Sequence, residues 1–239
     1  MKKIIMAACL TGITTFATAQ HFGGVKLQYL AGMGVQENKF EAVGISLHYE
    51  GFQFHPNLGL LISAERNFSG FDSKRINVGS GSTNVDYSST LNQLMVGGVY
   101  VPFNGRAVSP YVSVKGGVMF YSTSLHINDP WGQDVCQPEQ SNIVKLSAGA
   151  AGNAEAGLKL RLTNKARKEM FLQAGVGYTL GTRAKYVRLD DSVTDESASA
   201  YTSKFRAPDG STHEHRIGTL YRTSTSQLIY SLGLTFRVL

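Results

Sequence analysis

Between Val144 and Leu162 the chain alternates apolar and polar residues almost without a break. Val144, Leu146, Ala148, Ala150, Ala154, Ala156, Leu158, Leu160 and Leu162 share one phase. Lys145, Ser147, Gly149, Asn153, Glu155, Gly157, Lys159 and Arg161 share the other. Side chains of a strand point to opposite faces with period two, so the pattern predicts a β-strand with one apolar and one wet face. Ordinary strands run about 5–6 residues. A strand this long is typical of barrels that cross a membrane and project beyond it.

Seven further segments carry strand patterns. Val25, Leu27, Tyr29 and Ala31 mark the first, within 24–33, and Val43, Ile45, Leu47 and Tyr49 the second, within 40–52. Leu58, Leu60, Ile62 and Ala64 mark the third; the fourth, 84–101, is apolar on both phases and its faces stay unassigned. The fifth sets Val112, Val114, Val118 and Phe120 against Ser113, Lys115 and Gly117. Met170, Leu172, Ala174, Val176, Tyr178 and Leu180 mark the seventh, and Leu228, Tyr230, Leu232, Leu234, Phe236 and Val238 the eighth. Regularly spaced strands with turn residues between them point to an all-β barrel or sandwich.

The joins alternate in length. His55-Pro56-Asn57, Asn104-Gly105 and Thr163-Asn164-Lys165 are short, and Asn-Gly favours a tight hairpin because both residues tolerate positive φ. Arg66–Thr83, Leu125–Asn142 and Lys185–Gln227 are long and polar, while the join near Val35–Lys39 is short. Short turns at one end and long loops at the other are the pattern of outer-membrane barrels. The expected fold is an eight-stranded antiparallel up-and-down transmembrane β-barrel. Tyr201–Arg206 and Ser211–His215 flank Pro208-Asp209-Gly210 and are expected to fold back as a protruding ribbon. A ten-strand ring would require that hairpin to face lipid, and Ser203, Lys204, Arg206, His213 and Glu214 give it no apolar phase.

The start of the chain reads as a signal peptide. Lys2 and Lys3 precede the apolar stretch Ile4–Phe16, and Ala17-Thr18-Ala19 is a small-x-small cleavage site. Residues 1–19 are thus expected to be removed on export, leaving 20–239 as one barrel domain. The mature part keeps one cysteine, Cys136, expected as a bystander in a surface loop, so no internal disulfide is available. The chain carries 23 basic and 17 acidic residues, a formal charge of +6. That excess suits anionic lipid or polysaccharide. Nucleic acid is not expected, because no basic tract interleaves with aromatics. Tyrosine and phenylalanine near strand ends, such as Phe22, Tyr49, Tyr100, Tyr111, Phe171 and Tyr178, would form the aromatic girdles of a membrane barrel.

The final strand reads Ser231-Leu232-Gly233-Leu234-Thr235-Phe236-Arg237-Val238-Leu239. Ser231, Gly233, Phe236 and Val238 resemble the C-terminal assembly signal of bacterial outer-membrane proteins; the last residue, usually aromatic there, is Leu239 here. With the strand and loop pattern, the mature chain resembles small outer-membrane barrels of the OmpA/OmpX type, a porin-family β-barrel domain. The resemblance implies insertion by the barrel-assembly machinery and a monomer in the outer membrane, surrounded by its lipid and lipopolysaccharide.

In a barrel of eight strands the interior is just wide enough for side chains to fill. The wet phase therefore predicts a lumen charge network from Lys26, Glu50, Glu65, Lys115, Lys145, Glu155, Lys159 and Arg237. Buried charges must pair or lose their ionisation. Lys115 and Glu155 stand on neighbouring strands and are expected to pair, with Lys159 nearby; water or other partners would serve equally.

Other candidate chemistry is sparse. His213 and His215 share a face, but two imidazoles are too few for a metal site. Gly175, Gly177 and Gly181 lack dinucleotide spacing, and no nucleophile elbow is present. No cofactor and no catalytic residue are expected. Trp131 is the loop residue best suited to contact an extracellular ligand. The expected role is structural, envelope-stabilising or interactive through the long loops. A small pore is the alternative, and a lipid-modifying enzyme the second.

Overall fold

The computed structural model describes residues 20–32, 41–104, 106–132, 135–163, 169–189, 198–224 and 226–238. The strands are β1 (Gln20–Gly32), β2 (Glu41–His55), β3 (Leu58–Val78), β4 (Gly81–Tyr100), β5 (Val108–Ile127), β6 (Gln137–Pro138), β7 (Asn142–Thr163), β8 (Met170–Gly181), β9 (Arg183–Arg188), β10 (Ala198–Arg206), β11 (Thr212–Ser224) and β12 (Gln227–Arg237). Eight of them close a barrel in the order β1-β12-β8-β7-β5-β4-β3-β2. Every neighbouring pair is antiparallel, including the closing pair β1 and β12, where Gly23 lies opposite Phe236. The eight-strand reading holds, and the hairpin β10–β11 stands outside the ring.

Period two sorts the barrel wall. Leu27, Leu47, Val114, Leu158, Leu180 and Leu232 face outward and are exposed, whereas Lys26, Ser46, Lys115, Glu155 and Ser231 face the lumen and are buried. The fourth strand resolves in the same way. Leu94, Val96 and Tyr100 point out, and Leu91, Gln93, Met95 and Val99 point in. Its sequence hid this because the lumen side of β4 is itself largely apolar.

The long joins are more ordered than their composition suggests. Arg66–Thr83 is not a loop: β3 and β4 run on to Val78 and Gly81 around a tight turn in which Gly79 has φ 63°. Its Gly and Ser content masks the inward Ile76 and Val78, which are buried. Leu125–Asn142 shortens likewise, because β5 reaches Ile127 and β7 starts at Asn142. Within Lys185–Gln227, β9 and β11 pair with each other directly beyond the paired β8 and β12, and β10 adds outside β11 around Pro208-Asp209-Gly210. The ribbon thus exists, but it belongs to a separate four-stranded sheet, β6-β10-β11-β9.

That sheet packs on the projecting ends of β3, β4 and β5 around a core of Leu125, Ile127, Val187, Phe205 and Ile217. Cys136 lies in this core, buried, so it is not a surface bystander. The barrel therefore carries a folded lobe at one end and turns at the other. The expected signal segment 1–19, the join near Val35–Lys39, Gly105 of the Asn-Gly turn, and Asn164-Lys165 lie outside the described residues.

Candidate functional site

The lumen is built in layers. At the turn end Phe22 meets Phe52 and Phe171 edge-on, with centroids 6.0 and 5.9 Å apart, and Leu61, Val99, Val101 and Tyr111 complete an apolar plug. At the lobe end Leu30, Leu91, Met95, Met119 and Ile229 form a second apolar layer. Tyr121, Tyr186 and Tyr221 cover it, each successive pair of rings 5.5 Å apart.

Between the two plugs lies the charged layer. Lys26 Nζ is 2.9 Å from Glu155 Oε1, Lys115 Nζ is 2.8 Å from Glu65 Oε1, and Lys159 pairs with Glu50. Tyr111 Oη and Ser231 Oγ donate to the same Glu155 oxygen at 2.5 and 2.9 Å. Ser63 Oγ donates to Glu65 at 3.0 Å. Each lysine thus faces one carboxylate, and the layer is electrically balanced, which is what burial at low dielectric demands.

The expected pair Lys115–Glu155 does not form. In the ladder Lys115 lies opposite Asn153, and Glu155 opposite Ser113. Their side chains run inward to partners on non-adjacent strands instead. Lys145 and Arg237 also stand apart from the layer. Lys145 Nζ sits 5.9 Å over the ring of Tyr201 in the lobe. Arg237 reaches Glu169 at 3.6 Å at the turn end, where Arg161 joins it at 3.5 Å. Lys26, Glu65, Lys115, Glu155 and Lys159 are all in the layer, with Glu50.

Glycines open the space these side chains occupy. A Cβ on Gly175 would collide with Tyr111 Oη and lie 2.6 Å from Glu155 Oε1. One on Gly233 would meet the Val25 carbonyl and the Lys26 backbone. Two residues of the C-terminal motif, Ser231 and Gly233, thus serve the lumen, while Phe236 and Val238 face outward, half-exposed.

The lobe holds the remaining candidates. Ser211 Oγ donates to Asp209 Oδ1 at 2.6 Å and lies 2.8 Å from His213 Nε2. A hydrolytic triad needs the carboxylate on the far nitrogen of the imidazole. Here it holds the serine, and the Ser211 backbone N–H as well, at 2.9 Å, which makes an Asx turn. Those two bonds hold the Asp209 carboxyl below its usual range. His215 meets the Phe205 ring edge-on, with centroids 5.0 Å apart. Trp131 is half-exposed, with the Arg75 guanidinium 5.1 Å from its ring centre.

Outside the wall, the apolar band circles the ring and gathers tyrosines at its lobe-side rim, where Tyr29 and Tyr230 are 6.4 Å apart. A closed ring leaves no unpaired edge, and an outward apolar band of this kind is the surface that a membrane barrel turns to lipid. This is the architecture of an eight-stranded transmembrane β-barrel. No protein-family model matches the chain, and no curated protein matches it. The solved structures similar to this chain include the following three. Neisserial surface protein A (NspA) has 9% identity and a TM-score of 0.45, over 91% of this chain and 95% of that one. A major outer membrane protein from Thermus thermophilus has 12% identity and a TM-score of 0.48, over 92% and 99%. Ail, the attachment invasion locus protein of Yersinia pestis, has 14% identity and a TM-score of 0.42, over 92% and 97%.

Proposed function

We propose that this protein is an integral outer-membrane barrel whose function is carried by its lobe, a folded surface held outside the cell. Export through the segment 1–19 and insertion by the barrel-assembly machinery are part of this reading. The observation that carries it is the lobe's own core, in which Leu125, Phe205 and Val187 are completely buried. A chain that only needs to close a barrel has no use for a second core. A core of this kind holds a surface in one conformation and lowers the ordering cost of binding. The role is structural or interactive, and non-enzymatic.

Two experiments test it. A single cysteine at the hairpin tip, Ser211→Cys, should react with a membrane-impermeant maleimide on intact cells, since Cys136 is buried; labelling only after lysis would overturn the orientation. The refolded protein in a planar bilayer should be electrically silent, because apolar plugs flank the charged layer.

A small pore is the second reading. It is favoured by Asn67 and Gln93, fully buried in the lumen wall, whose side-chain amides have no hydrogen-bond partner among the described residues. Buried amides of this kind recruit water. Steady conductance would decide for it.

A further inference from the structure

We propose that Trp131 and Arg75 form a binding platform for an acidic saccharide at the tip of the lobe. The inference rests on the reading of the lobe as an external surface and names the ligand class that this surface takes.

The platform is rigid for reasons that can be traced residue by residue. Trp131 bonds Ser82 twice through its backbone: its N–H donates to the Ser82 carbonyl at 3.1 Å, and its carbonyl accepts from the Ser82 N–H at 3.3 Å. The Ser82 side chain then takes hold of Arg75, whose Nε and Nη2 donate to Ser82 Oγ at 2.9 and 2.7 Å. One serine thus positions both the indole and the guanidinium. Close approach of the loop depends on Gly81, where a Cβ would collide with Val135 Cγ1 and sit 2.5 Å from the Trp131 carbonyl oxygen.

Arg75 lies over the indole, yet Trp131 remains 45% exposed. The residue that carries this flat, electron-rich ring is therefore nearly half open to solvent, on a backbone already fixed in place. The remaining N–H groups of Arg75 have no protein partner among the described residues, and the guanidinium carbon lies 5.1 Å from the centre of that ring. The ladder neighbours are polar: Asn84 lies opposite Arg75, and Asn77 opposite Ser82.

This combination selects the occupant. A protein interface of standard size covers roughly 800 Å² per partner and needs an apolar core of several anchors. Here a single aromatic plate carries a guanidinium, and the hairpin beneath it adds the Ser82 hydroxyl and two asparagines, Asn77 and Asn84. A sugar ring matches that arrangement. Its C–H face stacks on one indole, its hydroxyls need amide partners, and a sulfate, phosphate or carboxylate substituent takes, in a charge-assisted contact, the guanidinium N–H groups that Ser82 leaves.

Trp131 is the sole tryptophan of the chain, so its fluorescence reports this site alone. The full mature chain, refolded in detergent and verified by heat-modifiable gel migration, is titrated with dextran sulfate oligosaccharides and with neutral dextran of equal length. Emission and heat of binding are followed together. A saturable change of Trp131 emission with the sulfated sugar is expected, with affinity for neutral dextran at least about tenfold weaker. Arg75→Gln should remove that preference, and Trp131→Ala should abolish the heat. Unchanged emission and no heat in a folded barrel would overturn the proposal. So would equal binding of both sugars, or heat that survives Trp131→Ala. Failure of the underlying reading would show separately, as a Ser211→Cys label that appears only in lysed cells.

Discussion

Lys159 and Glu50 form an ion pair across the full width of the lumen. Their strands, β7 and β2, stand four places apart in a ring of eight, so the two side chains meet near the axis from opposite walls. Lys26–Glu155 spans β1 to β7, and Lys115–Glu65 bridges β5 to β3. None of the three pairs joins neighbouring strands. Lateral distance along the wall is set by the ladder, but long side chains pointing at a common axis converge, and convergence decides the partners.

The coupling between charges should follow these chords. Replacing Glu155 by Gln leaves Lys26 buried opposite a neutral amide, and breaking a buried pair in this way costs about 3–5 kcal/mol. In urea unfolding of the refolded barrel, the double-mutant cycle of Lys26→Met with Glu155→Gln should show a larger coupling than that of Lys115→Met with Glu155→Gln. Equal couplings would contradict the pairing described.

Gly81→Ala should disturb the lobe tip and leave the barrel intact. The added methyl collides with Val135 and with the Trp131 carbonyl, and the loop must lift. Trp131 emission should shift to longer wavelength while heat-modifiable migration is unchanged. An unaltered spectrum would mean that Gly81 does not hold the indole.

Phe205→Ala should open the lobe selectively. The ring is wholly buried between the two sheets, and removing such a side chain costs about 3–5 kcal/mol. Limited proteolysis is expected to cut within 198–224 at protease levels that spare the parent protein, with the ring of strands still resistant. Loss of the whole barrel would show that lobe and wall fold as one unit.

Acidification should loosen the same region. Burial against Phe205, and the nearby His213, hold the His215 imidazole below its usual pKa of 6.5. On acidification the unfolded lobe therefore binds its proton first. The stability from neutral His215 is present above about 6.5 and is lost as pH falls through the lower, folded value. Proteolysis of 198–224 should accelerate as the pH falls below about 6.5, and His215→Leu should flatten that dependence.

The strands of the wall were legible because lipid imposes a strict alternation, and Val144–Leu162 shows it over nearly its whole length. Where lipid ends, that rule ends. On β3 the inward Ile76 and Val78 are separated from the band below by a polar stretch that includes Asp72, Ser73 and Lys74, so a hairpin reads as a loop. Candidate lumen residues were legible by phase, since Lys26, Lys115, Glu155 and Lys159 all fall on the wet side. Their partners were not, because phase says nothing about what lies across the axis. Lys145 and Arg237 obey the same phase but lie too far along the axis, one beneath Tyr201 and the other beside Glu169. The burial of Cys136 depends on a sheet assembled from distant segments, which no local pattern announces.

The seam between β1 and β12 imposes an order on assembly. Its two sides are the first and last strands of the ring, with Gly23 against Phe236 and the Val238 N–H donating to the His21 carbonyl at 2.9 Å. No earlier pair of strands can substitute for this contact, so the wall stays an open sheet until β12 arrives. A chain halted before β12 would present two bare edges, β1 and β8, each a template for the same strand of another molecule. Docking of β12 and sealing of the cylinder are therefore a single event, and that one strand also guards the protein against joining its own copies.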